Sequence, residues 1–554
     1  MIERDINRIK ILFSDGKEIN THESVSLMEL SYIYCEDKSS IVAAKVDNDL
    51  KELGYHLNDD CMIEFIDLNY TDGMRIYKRS AYFIMLKAFD ELFKEKKLVI
   101  HHPIGRGVYC EVIGEPLLES DLKKLEEEML KIVDMKIPFI KRLMSSYDAK
   151  EIFLKQGRID RYHVIEHRKK PYVSFYNCGG YEDYFYGYMA PHTGYIKVFS
   201  LELCETGIVL MFPDKQNPNE VSIYKKQEKL FKVFKEYKNW NKILGVENVG
   251  ALNNLACNGD INNMIRIAEA LHEKRIAQIA DKISFNEDKK KIVLIAGPSS
   301  SGKTTFAKRL SIQLSVNGLK PVIISLDDYF VDRDKTPIDE KGEYDFESID
   351  AVDIKLFNNH LQMLIKGETV EIPKFNFQKG CRDTKTKKLK ISSNGILVIE
   401  GIHGLNERLT ETIAKKHKYK IYVSALTSMN IDDHNRIPTT DTRILRRIVR
   451  DFSFRGCLAE KTIAMWSSVR RGEEKNIFPY QEEADIMFNS FLIYEQGVLK
   501  KKAEHLLLDI ERSSRVYSEA RRLIEFLGYF VVIDETEVPI NSILREFIGG
   551  SCFN

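Results

Sequence analysis

A mainly parallel α/β sheet with helices on both faces is the fold class that the C-terminal half of this sequence predicts. Two observations carry it. From about residue 286, short apolar runs alternate with helical stretches, and Ile292–Ala296, Val322–Asp327, Ile396–Gly401 and Tyr419–Ala425 each read as a strand. The first strand runs straight into the glycine-bounded loop Gly297-Pro298-Ser299-Ser300-Ser301-Gly302-Lys303-Thr304-Thr305, which opens a helix reaching about Val316. Ahead of this sheet the pattern changes. It predicts a small α/β unit and then an α+β unit, and 554 residues are too many for one domain.

Taken in order, residues 1–66 hold the strand-like runs Ile9–Phe13, Ile41–Val46 and Cys61–Ile66. Between the first two, Ser14-Asp15-Gly16-Lys17 predicts a hairpin turn, with Asp15-Gly16 at the positive-φ positions. Residues 67–222 mix helices and strands and are rich in Tyr and Phe. Residues 223–285 read mostly as helix, because Met264–Ile283 keeps apolar residues three to four apart, and predict a linker or packing segment. The sheet region is expected over 286–515, and 516–554 is a short extension packing on it. The sequence shows no internal repeat and no low-complexity tract.

Lys plus Arg and Asp plus Glu both number 83, so no bulk field favours nucleic acid or a membrane surface. The nine cysteines form no C-x-x-C pair, which predicts reduced thiols. Met1-Ile2-Glu3-Arg4-Asp5 has no apolar run behind it, and no uncharged apolar stretch approaches the ~18–20 residues that span a bilayer. A cytoplasmic location is the expectation that remains. A homo-oligomer is left open.

The loop has the form G-x-x-x-x-G-K-[ST], placed between a strand and a helix. Gly297 and Gly302 allow backbone angles that turn several N–H groups inward onto phosphate oxygens. The helix that follows aims its positive end at the same point. Lys303 neutralises the outer phosphates, and the Thr304 hydroxyl suits Mg²⁺, a hard cation that prefers oxygen. The motif therefore predicts binding of a nucleotide triphosphate.

Three further groups bear on what receives the phosphate. Asp327, followed by Asp328, ends a strand at the carboxyl edge of the sheet, where ligands bind in open α/β folds. There it can accept a proton from an attacking hydroxyl; the plain alternative is a pair of loop caps. Glu400 ends the apolar run Gly395–Ile399 at the same edge, as a metal ligand or a helix cap. Arg443, Arg446, Arg447 and Arg450 share one face of a predicted helix, with Arg455-Gly456 beyond. They read as a lid that stabilises phosphoryl charge or as a solvated basic face. Of these, Arg450 and Arg455 are the candidates for phosphate contact.

Residues of about 286–510 resemble the uridine kinase and phosphoribulokinase family of P-loop kinases. The motifs, in order, are the phosphate loop, Leu326-Asp327-Asp328-Tyr329-Phe330, Tyr344-Asp345-Phe346-Glu347-Ser348-Ile349-Asp350, and Ile372-Pro373-Lys374-Phe375-Asn376-Phe377. Ile399-Glu400-Gly401-Ile402 and Arg446–Asp451 with Arg455-Gly456 complete the set. The resemblance implies ATP-dependent phosphorylation of a nucleoside 5′-hydroxyl, with Asp327 as base. It gives Asp345, Phe375 and Arg382 to the acceptor, Thr304 and Glu400 to Mg²⁺, and Arg450 and Arg455 to the lid. Uridine kinases usually carry Tyr at the position of Phe375 and His at that of Gly380. Losing such hydrogen-bonding partners removes discrimination. The acceptor is thus open between another nucleoside and a different small hydroxyl metabolite. Met429–Arg436 is an insertion before the lid, expected either to add contacts or to lie on the surface.

The N-terminal half resembles threonyl-tRNA synthetase. Residues 1–66 are similar to its TGS module, of the β-grasp type. Residues 67–222 are similar to its editing domain through Lys78–Phe83, His102–Tyr109 and Ala190–Lys197. The H-x-x-x-H and C-x-x-x-H pairs of that family fall on Arg79 and Phe83, and on Phe185 and Met189. None of these four can serve as a metal ligand or imidazole base. The resemblance therefore implies a fold kept for binding, regulation or assembly, with RNA binding as one option. His101-His102 and the pair His163 and His167 are candidates for a relocated site, although no third ligand accompanies them.

Overall fold

The hairpin Arg8–Phe13 and Glu18–His22 opens the computed structural model, which describes residues 8–35, 40–214, 217–338, 342, 344–376 and 379–553. Leu12 lies opposite Glu18 across the turn. The positive φ falls on Gly16 alone, at +87°. Asp15 differs from expectation: its Oδ1 accepts the Lys17 N–H at 3.0 Å, which fixes the turn from a negative φ. Cys61–Ile66 joins Arg8–Phe13 in parallel, and Ala43–Val46 with Asp49–Glu52 completes a five-stranded sheet. Helix Leu27–Tyr34 crosses it, started by a capping box in which Ser26 Oγ accepts from Glu29 N and Glu29 Oε2 accepts from Ser26 N.

Next comes the helix Thr71–Leu92, with Ile76, Tyr77, Phe83 and Phe89 buried. Its neighbours are an antiparallel sheet of Ser200–Cys204, Gly207–Met211, Gly107–Ile113 and Lys97–Ile104, and a smaller one of Ile140–Ser145, Tyr172–Cys178 and Tyr181–Tyr184. The region 223–285 holds three helices, Glu228–Ile243, Val249–Asn258 and Ile261–Ser284.

The expected parallel sheet follows, in the order Lys320–Ser325, Gly395–Glu400, Ile292–Ala296, Lys418–Ser424, Ile486–Asn489. The inner strands Ile292–Ala296 and Gly395–Glu400 are continuous apolar runs because both faces are covered. Val293 and Ile295 join Phe306, Leu310 and Ile448 on one face, while Ile292 and Leu294 join Phe357 and Leu361 on the other. At about 1.5–3 kcal/mol for each fully buried aliphatic side chain, this strand is a large part of what fixes the loop that follows it.

The largest apolar core disregards the sequence divisions. It joins Phe153, Val164 and Phe175 to Ile265, Ile276 and Ile283, then to the sheet residues and to Ile543 and Phe547 near the end. The insertion Met429–Arg436 is not surface. Asp432, His434 and Asn435 are buried, and the insertion reaches into the N-terminal half. Asn430 Nδ2 donates to Ile100 O at 2.7 Å, and Ile100 N donates to Asp433 O at 2.9 Å.

Candidate active site

Strand register brings the phosphate loop and the acids to one edge. Ser325 pairs with Glu400, and Glu400 pairs with Ile295, so the three lie in a row at the carboxyl ends of adjacent strands. At roughly 5 Å per strand spacing, the ends leading to Asp327 and to Gly297 are about 10 Å apart. Gly297 has no alternative: a β-carbon there would stand 1.9 Å from Val423 O. Gly302 takes φ +84° and Ser300 φ +57°, which curls the loop around its own N–H groups. Lys303 begins the helix Lys303–Val316, and its ammonium donates to Gly297 O at 2.9 Å and Pro298 O at 3.0 Å. Thr304 is exposed beside it, and Thr305 is buried.

Asp327 sits two residues beyond its strand, in the single turn Leu326–Tyr329, rather than at the strand's last position. Solvent reaches it, but the enclosing protein raises its pKa against the pull of Lys303, Arg455 and Arg450. Burial pushes Glu400 up to about 7, reinforced by the Asp327 charge and opposed by Lys303; the Ser325 hydroxyl donates to its Oε1 at 3.0 Å. Burial lowers the pKa of Lys303, against the pull of Glu400 and Asp327.

The acid missed in the sequence is Glu347. Asp345 accepts the Glu347 N–H at 3.2 Å and lies 3.8 Å from Lys475. Glu347 feels the charges of Glu473, Lys303, Arg447 and Asp327. Burial first, then the Glu473 charge, pushes it up to about 7. It packs on Gly472, where a β-carbon would meet its own at 2.4 Å. The signal was present in Tyr344–Asp350, where two half-buried acids stand two residues apart in an irregular loop.

A raised carboxyl pKa makes a pH prediction. The folded protein holds a proton on Glu347 that the unfolded chain releases near 4.5, so its burial penalty appears as pH rises from about 4.5 through about 7. Glu347→Gln is therefore expected to match the wild type in melting temperature near pH 4 and to exceed it near pH 8. Parallel melting curves at both pH values decide this; a constant gap would rule out the raised Glu347 pKa.

The arginine helix, Thr439–Arg455, is a clamp on the phosphate loop, and its inner face is not solvated. Arg443 and Arg446 are buried and form ion pairs with Glu473 and Glu495. Arg443 Nε also donates to Ser299 O at 2.9 Å, and Arg446 to Ser300 O at 3.3 Å. Arg447 donates to Ser299 Oγ at 2.7 Å and Arg450 to Ser300 Oγ at 3.4 Å. Arg455 is 53% exposed at the helix end, 3.3 Å from Asp451.

On the acceptor side, Phe375 is buried, with its ring centroid 5.7 Å from that of Phe330, and Phe377 lies outside the described residues. A β-carbon on Gly380 would stand 2.8 Å from the Arg333 guanidinium, so an arginine fills the space of the missing histidine. Arg382 donates to Tyr329 O and Phe330 O, each at 3.1 Å, and to Asp353 Oδ2 at 3.2 Å. It thereby holds the turn that carries Asp327.

The remaining candidates do not gather. Phe83 and Phe185 pack with tilted rings, centroids 5.7 Å apart, Met189 is buried beside Ser80, and Arg79 donates to Tyr188 O at 2.5 Å. His101 faces Glu111 at 3.1 Å, and His102 stacks on Phe234 at 4.0 Å. His163 meets Glu166 at 3.1 Å, while His167 falls past the end of helix Ile159–Glu166 and meets Asn254 at 2.6 Å. Among the described residues, no three His, Cys, Asp or Glu side chains form a metal-ligand cluster. Mg²⁺ fits the kinase edge differently, held by one or two oxygens of the protein and by phosphate oxygens. Glu400 and Thr304 suit that arrangement.

Residues 292–493 match the model of the "Phosphoribulokinase / Uridine kinase family". A uridine kinase of Halobacterium salinarum is 28% identical over 194 residues, covering 35% of this chain and 77% of that protein. A threonine–tRNA ligase of Symbiobacterium thermophilum is 32% identical over 198 residues, covering 35% of this chain and 30% of that protein. This chain thus spans less than a third of the length of that ligase. The solved structure of a possible uridine kinase from Bacillus stearothermophilus shares 17% identity, covering 39% of this chain and 97% of its own, with a TM-score of 0.28. The C-terminal half thus resembles the phosphoribulokinase and uridine kinase family, and the N-terminal half resembles threonine–tRNA ligases. The family-model and uridine kinase matches support a P-loop kinase in the C-terminal half. No helix among the described residues is long and apolar enough to cross a membrane.

Proposed function

We propose that this chain is an ATP-dependent kinase that phosphorylates the 5′-hydroxyl of a nucleoside, with Asp327 as base. The observation that supports this most is the strand register, which sets Asp327, Glu400 and the phosphate loop along one edge. In this reading the loop's N–H groups hold the nucleotide phosphates, and Lys303 leaves Gly297 O and Pro298 O to neutralise them. The hydroxyl proton passes to Asp327 as its oxygen attacks the γ-phosphorus, and ADP departs. Asp345, with Glu347 close by, holds the acceptor's hydroxyls beside that carboxylate. Positioning and fixed charge carry most of such a reaction. Mg²⁺, when bound through Thr304 and Glu400, would offset charge on the outer phosphates. The proposed setting is the cytoplasm, in keeping with nine cysteines that are all free thiols.

A second reading of the acceptor rests on Arg333 and Phe375. A guanidinium beside Gly380, with no phenol or imidazole, suits a different hydroxyl metabolite as well as a nucleoside. ADP release by the full chain, measured with Mg·ATP across nucleosides, sugars, sugar phosphates and hydroxy acids, separates the two. The expected outcome is turnover with at least one nucleoside; turnover only with another class would select the second reading, and none at all would remove the kinase.

For the N-terminal half we propose a binding or regulatory role, supported by the apolar packing at its degenerate positions. The likeness to threonine–tRNA ligases keeps RNA among its ligands. Binding of tRNA that weakens steeply with salt would identify it.

A further inference from the structure

The helix end of the phosphate loop already holds an anion supplied by the chain itself. Glu546, near the C-terminus, accepts from Thr305 N at 3.1 Å and Thr305 Oγ1 at 2.8 Å through one carboxylate oxygen. Its other oxygen faces Arg450 at 3.4 Å. A backbone N–H in the first turn of a helix, a hydroxyl and a guanidinium form a typical phosphate site. These are groups that the proposed nucleotide would need.

The carboxylate does not arrive by chance. Ile543, Leu544 and Phe547 around it are fully buried. A β-carbon on Gly302 would stand 2.4 Å from Ile543 Cγ2, so the segment lies directly on the loop. The Phe547 ring sits 5.0 Å from the Arg446 guanidinium and 5.6 Å from that of Arg450. Lys502 donates to Ile548 O at 2.9 Å, and Lys308 donates to Phe553 O. Since these anchors hold the backbone, the side chain is ordered in place before any ligand comes.

We infer that Glu546 is an internal phosphate mimic, an autoinhibitory contact that nucleotide must displace from Thr305 and Arg450. This rests on the nucleotide-binding reading above. A phosphate oxygen and a carboxylate oxygen cannot share one N–H at close range, because both are anionic and both need the donor. The apolar anchors stay while the Glu546 side chain swings away. The segment thus sets the nucleotide level at which the kinase begins to work.

The test is calorimetric titration of Mg·ATP into the full-length wild type, Glu546→Gln and Glu546→Asp, with melting curves to show that each is folded. Glu546→Gln keeps the shape and loses the charge, and it is expected to bind Mg·ATP about tenfold more tightly. Glu546→Asp, with a shorter reach, is expected to fall between. If the wild type binds Mg·ATP and neither variant binds more tightly, the mimic is refuted while the nucleotide site stands. Weaker binding by Glu546→Gln would make Glu546 part of the site rather than its occupant. Absence of binding in all three would overturn both readings together.

Discussion

Asp327→Asn is expected to lower kcat by roughly 10²- to 10⁴-fold, the usual effect of removing a positioned base. Mg·ATP affinity should change little, because the phosphates are held by the loop, Lys303 and the arginine helix. The substitution preserves volume and hydrogen bonding but cannot take up the hydroxyl proton. The environment supports this role: enclosure raises the Asp327 pKa, and Lys303, Arg455 and Arg450 keep it in check. A raised carboxyl pKa makes the carboxylate a stronger proton acceptor. Single-turnover phosphorylation of the accepted substrate, with calorimetry of Mg·ATP binding, measures both effects. A variant within tenfold of wild-type kcat would transfer the base assignment elsewhere.

What the sequence disclosed and what it hid divide along the range of the forces involved. The strand Ile292–Ala296, the loop Gly297–Thr305 and the helix after it are local: an apolar run, two glycines and a helix start that need no distant partner to be read. The face of Arg443, Arg446, Arg447 and Arg450 was legible as periodicity. Its burial was not, because the neutralising acids, Glu473 and Glu495, lie 30 and 49 residues further on. The same holds for Glu546, 241 residues from the Thr305 whose N–H it accepts. Glu347 shows a different limit, since an irregular loop has no period from which to infer its burial. The insertion Met429–Arg436 was visible only as extra length. Length alone left open whether it adds contacts or lies on the surface, and its polar groups are what binds it inside.

That burial yields the largest expected effect on stability. Arg161, on helix Ile159–Glu166, is 2% exposed and ion-paired with Asp183, while Asp183 Oδ2 lies 2.7 Å from His434 Nδ1 of the insertion. Asp432 accepts from Asn435 Nδ2 at 2.8 Å, and its Oδ1 lies 3.9 Å from Arg161 Nε. Burial alone would raise the Asp183 pKa, but Arg161 and His434 outweigh it and hold the carboxyl well below its ordinary range. Asp183→Ala leaves the Arg161 charge buried beside a weakened network, and removing one partner of such a pair typically costs about 3–5 kcal/mol. The variant is therefore expected to unfold at a clearly lower urea concentration. Because the folded carboxyl pKa is depressed, its contribution is present above about pH 4, near the unfolded value, and is lost on further acidification. The gap between wild type and variant should accordingly narrow as pH falls below that point. Arg161→Met combined with Asp183→Ala should cost much less than the sum of the two single changes, since the stranded charge is gone. Additive losses would mean that the two side chains act independently.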